Sequence, residues 1–139
     1  MMRWIQAVGS LMILGTLSGC GTSEQSPTEM KEVYDASVMS DVAEMYRTYI
    51  FEYKKPPANA KALDKYRALN GNGLQHIVKD EIIVLWGTPL ADTPEATGAV
   101  LAYEKKAPEE GGVVLMQDGN TIRKLTADEF KAAPKASKS

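Results

Sequence analysis

The sequence predicts an α+β fold, with a long N-terminal amphipathic helix packed on a small antiparallel meander of three to four strands. Three observations predict it. Apolar residues recur at spacings of three and four from Tyr34 to Tyr53, which is the period of one helical face. The second half of the chain holds short β-rich runs separated by Gly and Pro. One of those separators, Asp118-Gly119, sits between two such runs and marks a hairpin.

The first helix is expected to start near Thr28 or Glu29 and to run to about Lys54. Tyr34, Val38, Val42, Met45, Tyr49 and Tyr53 form its apolar stripe, with Tyr46 at the edge. At this spacing the tyrosines read as core, because a tyrosine buries its ring while its hydroxyl finds a polar partner. Pro56-Pro57 stops the helix. A second, short helix is expected from Asn59, its N-cap, to about Leu69, with Ala62, Leu63, Tyr66 and Leu69 as its apolar face. Asn70-Gly71-Asn72-Gly73 reads as the turn that ends it. This cluster is no phosphate loop, since no strand precedes it and no Lys-Ser/Thr follows it.

Ile82–Trp86 reads as a strand, 87–98 as a loop, Ala99–Glu104 as a strand and Lys105–Gly111 as a polar turn region. Val113–Gln117 and Asn120–Leu125 flank Asp118-Gly119. A two-residue type I′ turn there would set Leu115 opposite Ile122 on one face, with Val114 and Met116 on the other. Thr126 and Glu129 form a capping box opening a last helix that carries Phe130. Lys131–Ser139 contains only Ala, Lys, Ser and Pro and is expected to be a disordered tail. Trp86, Leu101, Leu115 and Ile122 against the helix stripe are the expected core, so a single domain is expected over 29–130.

The N-terminus has another character. Met1-Met2-Arg3 is a short positive start, and Trp4–Leu17 is an apolar run too short and interrupted to span a bilayer. Leu17-Ser18-Gly19-Cys20 follows, and this segment resembles the lipobox of bacterial lipoproteins. The resemblance implies a cleavable signal over residues 1–19. It also implies that Cys20 becomes the mature N-terminus, carrying a thioether-linked diacylglycerol and often an amide-linked third chain. Such a chain would be lipid-anchored and facing the periplasm, its direct partner the bilayer. Gly21 after the Cys slightly favours the outer membrane over the inner. Residues 20–28 are expected to be a flexible polar tether, reaching at most about 28 Å from the anchor.

Composition and motifs exclude several functions. The formal net charge is −2, and loss of Arg3 with the signal makes it more negative, so there is no electrostatic case for a nucleic-acid partner. The single Cys cannot form an internal disulfide, and one His with one Cys cannot build a Cys/His zinc site. No cofactor motif occurs. His76 is the only candidate base and stands near Asp80-Glu81, two carboxylates that point apart because they are adjacent. No nucleophile motif accompanies His76, and Asp118 is accounted for by turn chemistry. No catalytic, metal or ligand residue is assigned on this basis, and Cys20 is the one modified position.

Ala102-Tyr103-Glu104, Gly111–Gly119 and Leu125–Phe130 are similar to the C-terminal end of prepilin-like proteins, and the helix-then-sheet order resembles the globular part of type II secretion pseudopilins. That family carries a His, nine residues, then Asp-Gly, whereas the position ten before Asp118 here is Pro108. The continuous apolar helix by which pseudopilins polymerise is also replaced by the lipobox-like segment. The resemblance implies a fold more than a task. The expected function is therefore a membrane-tethered, non-enzymatic interaction module of the cell envelope. The alternatives are an accessory component of a type II secretion or pilus-like machine, or a small envelope enzyme.

Overall fold

The computed structural model describes residues 24–138. The signal segment and Cys20 lie outside the described residues. Helix α1 spans Pro27–Tyr53, starting slightly before the expected Thr28 and so shortening the tether. Ser26 is its cap: the Ser26 hydroxyl accepts the Glu29 N–H at 3.2 Å and the Glu29 carboxylate accepts the Ser26 N–H at 2.7 Å. Pro27 occupies the first turn, where an absent N–H costs nothing. At the far end Lys54 takes a left-handed conformation and donates its N–H to Ile50 O, just before the two prolines.

The buried face of α1 is Val38, Met39, Val42, Ala43, Met45 and Tyr46. It is rotated from the expected stripe: Tyr46 is fully buried rather than at the edge, while Tyr34 and Tyr53 are about half exposed. The rotation has a cause in packing. α1 is sandwiched between a sheet and a second helical layer, so it needs a broader apolar face than one stripe supplies.

Asn59 caps the second helical layer as expected, its side chain accepting the Ala62 N–H. Beyond it the structure departs from expectation. A 3-10 segment, Ala60–Tyr66, runs into α2, Arg67–Val78, so Asn70–Gly73 lies inside a helix and ends nothing. Only Asn70 leaves helical geometry, as a kink (φ −123°, ψ 36°). Leu63 and Tyr66 are buried, but Leu69 is 85% exposed. Tertiary packing overrides the turn signal here, because Gly73 is where α2 crosses α1. A Cβ on Gly73 would stand 2.6 Å from Asp41 Cβ and 3.1 Å from Val38 O.

Strands β1 (Ile82–Val84), β2 (Val100–Glu104), β3 (Gly112–Met116) and β4 (Ile122–Leu125) form one antiparallel sheet in the order β1-β2-β3-β4. The two connections read as loops contain short helices, α3 (Pro94–Gly98) and α4 (Ala107–Glu110). Leu115 pairs with Ile122, the expected register. Leu115 faces α1, while Val114 and Met116 face the other side with Phe130 from α5 (Ala127–Ala132), whose Thr126–Glu129 capping box is formed. Leu101 and Leu115 are fully buried, each such side chain contributing roughly 1.5–3 kcal/mol, whereas Trp86 and Ile122 are half-buried at the margin.

The hairpin turn is not type I′. Gly119 alone has positive φ, and Gly119 N–H donates to Met116 O. Asp118 keeps ordinary φ because its carboxylate accepts the N–H groups of Asn120 and Thr121 and the Thr121 hydroxyl, closing a wider loop in the same register. Partial burial pushes the Asp118 carboxyl up, but these hydrogen bonds outweigh it and hold the group below the usual aspartate range. Arg47 of α1 donates to Gly119 O at 2.6 Å and to Asn120 Oδ1 at 2.9 Å, tying the loop to the helix.

The C-terminal segment is ordered where a disordered tail was expected. Val100 N–H donates to Pro134 O, Ala136 N–H donates to Val100 O, and Ala136 is buried. β1 leaves β2 before Val100, so backbone groups at that end of β2 are open, and the tail satisfies them as a parallel bridge.

Candidate functional site

An open groove of about 800 Å³ lies under the N-terminal half of α1, against the end of the sheet where β1 begins and β2 ends. Four elements build it. α1 supplies Lys31, Tyr34, Asp35 and Val38 along one side, and α2 supplies His76 from its last turn. The turn into β1 supplies Asp80 and Glu81, followed by Ile82. The β2–α4 connection supplies Glu104, Lys105 and Lys106, with Glu109 at the rim.

The centre of the groove is a chain of three polar side chains. Glu81 Oε2 lies 2.5 Å from His76 Nδ1, and His76 Nε2 lies 3.2 Å from the Tyr34 hydroxyl. The Tyr34 and His76 rings meet edge to face at 6.0 Å. In a neutral imidazole whose Nδ1–H donates to Glu81, Nε2 is left to accept the Tyr34 proton. Local backbone puts Glu81 in place: Asp80 takes a left-handed conformation at φ 61° and Glu81 N–H donates to His76 O. Asp80 and Glu81 do point apart, since Asp80 pairs with Lys105 while Glu81 turns to the imidazole.

The remaining charges are largely paired. Lys31 bridges to Asp35 one turn on, and this hydrogen bond raises its ammonium above the ordinary lysine range. Glu104 accepts the Val113 N–H at 2.7 Å, joining the groove to β3. The floor between Val38 and Ile82 is apolar, both side chains being buried. Among the described residues, no group of three or more His, Cys, Asp or Glu side chains could hold a metal ion. The arrangement orients a hydroxyl and an imidazole beside an apolar floor, which suits gripping a part-apolar ligand by directed hydrogen bonds.

Comparison with known families, curated proteins and solved structures finds no match for this chain. His76 and Glu81 are near neighbours in the sequence, whereas Tyr34, whose spacing predicts a core position, lies 42 residues away from His76. The Lys31–Asp35 spacing of four is a second local signal for this groove. Asp118, already explained as a turn residue, stays a turn residue.

The exposure of this hydrogen-bonded chain limits its structural value. Tyr34 and Glu81 are each about half exposed. His76→Ala is expected to lower unfolding free energy by no more than about 1 kcal/mol, read by urea denaturation. A loss several times larger would make this a structural brace instead of a recognition surface.

Proposed function

We propose that this chain is a lipid-anchored, non-enzymatic interaction module of the bacterial cell envelope, working through the groove around Tyr34, His76 and Glu81. The observation that carries the reading is the position of Cys20, behind an apolar run and directly ahead of a folded domain that begins at the Ser26 cap. Five residues lie between the two, six Cα-to-Cα steps in all, so the domain stands at most about 21 Å from its anchor. Two or three acyl chains on Cys20 would hold it at the membrane, each buried methylene contributing about 0.8 kcal/mol. Among the described residues no helix is long and apolar enough to cross a membrane, so the acyl chains are the attachment this reading relies on.

The test is Cys20→Ser. The expected result is complete loss of palmitate labelling and release of the protein from the membrane fraction. Label retained in the variant refutes the assignment, as does a mature form whose Cys20 is unmodified or which still carries Met1. A role as an accessory component of a secretion or pilus-like machine is the second reading, favoured by the order of a long first helix and then an antiparallel meander. Mild crosslinking in intact membranes separates the two readings: adducts between the groove rim at Glu109 and a secretion component favour the second.

A further inference from the structure

The outward side of α1 carries a strip with no charge on it. Ser26, Met30, Val33, Ser37 and Ser40 follow one another at spacings of four, three, four and three, so they lie on one line along the helix. All five are exposed, and the two large apolar side chains among them, Met30 and Val33, are 58% and 59% exposed. The strip faces away from the sheet and from α2, and among the described residues nothing covers it. Its charged flanks are already engaged: Glu32 with Lys124, Glu29 in the cap of the helix, and Asp41 with the Gly73 N–H.

We infer that this strip lies on the bilayer surface, with Met30 and Val33 entering the interface and the serines at headgroup level. The inference rests on the lipid anchor at Cys20 proposed above. Given that anchor, the six residues before Ser26 hold the first turns of α1 within about 21 Å of the acyl chains. Contact is then intramolecular, so two modest side chains can settle it where they could not recruit a free protein. A Met and a Val partly withdrawn from water are matched to such shallow docking, and serine hydroxyls hydrogen-bond readily among lipid headgroups. The charge balance also specifies the lipid. Glu24, Glu29, Glu32 and Asp41 stand beside the strip and only Lys124, paired with Glu32, opposes them, so the surface that fits is zwitterionic and an anionic one is repelled. Docked this way, α1 lies between the membrane and the groove.

The experiment places a nitroxide on the full lipidated protein, whose Cys20 thiol is consumed by its thioether. Val33→Cys carries the reporter, and Lys131→Cys, on α5 across the sheet from α1, is the reference. In phosphatidylethanolamine–phosphatidylcholine vesicles the label at position 33 is expected about 5–10 Å below the phosphates, by oxygen against nickel-chelate collision rates. The label at position 131 is expected in water, and anionic phosphatidylglycerol should raise position 33 toward water. A Met30→Glu/Val33→Glu pair with the reporter at Ser37→Cys should lift that reporter into water with palmitate labelling intact. Position 33 in water on a protein that retains palmitate overturns the docking and leaves the anchor standing. Dipolar broadening between labels at position 33 overturns it in favour of a second copy of the chain. Absence of palmitate removes the anchor, and the docking falls with it.

Discussion

Tyr46→Phe is expected to destabilise the protein by about 2–4 kcal/mol, although it removes one oxygen atom. The Tyr46 hydroxyl donates to Thr88 O at 2.6 Å and accepts the Thr88 N–H at 3.2 Å, and both residues are buried. Losing it strands a backbone donor and a backbone acceptor, each costing roughly 1–3 kcal/mol when left unpaired. The Thr88 hydroxyl cannot compensate, because it already donates to Leu85 O. Chemical denaturation at neutral pH measures the loss, and a change below about 0.5 kcal/mol would show that water reaches Thr88.

The burial of the same side chain sets the response to alkali. Burial pushes the Tyr46 phenol up from 10.0 to about 12, and the hydrogen bond to Thr88 only partly opposes it. The fold thus holds the neutral phenol. That contribution is complete below pH 10 and is lost as pH rises through about 12. Tyr66, also pushed up to about 12, chiefly by burial, acts in the same window. The Phe variant should therefore show a shallower fall in stability between pH 10 and 12, not a flat one.

What could be read from the chain alone was what short stretches decide. The Thr126–Glu129 box needs four residues, and the Leu115–Ile122 register needs one loop, so both were legible. The register even survived a wrong turn type, because the alternation of Leu115 with Val114 and Met116 admits only one buried face. Tyr46 was misplaced because a single stripe describes a helix with one neighbour, and α1 has two. The ordered tail was invisible because its reason lies in β2, where β1 ends short of Val100 and leaves that edge of it open. The Tyr34–His76–Glu81 chain was half legible: the step from His76 to Glu81 is local, while the step to Tyr34 exists only once α2 has folded back along α1.

Gly73 shows the same limit, and its substitution is expected to be costly. Helical propensity alone favours Gly73→Ala by up to about 1 kcal/mol, since an interior glycine weakens a helix. The crossing with α1 reverses the sign. The new Cβ would meet Asp41 Cβ at 2.6 Å, Val42 N at 3.0 Å and Val38 O at 3.1 Å, two of the three being backbone atoms that cannot rotate away. The Gly73 N–H also donates to the Asp41 carboxylate at 3.2 Å, so separating the helices to admit a methyl group lengthens that bond. Overpacking of this kind costs about 1–3 kcal/mol beyond the propensity gain. Gly71 is the internal control: it sits in the same helix with open space where its Cβ would be, so Gly71→Ala should be neutral or stabilising. Thermal melts of the two variants side by side decide the matter. Equal melting temperatures would mean that α2 does not cross α1 at Gly73, and that Asn70–Gly73 is the helix-ending turn its composition resembles.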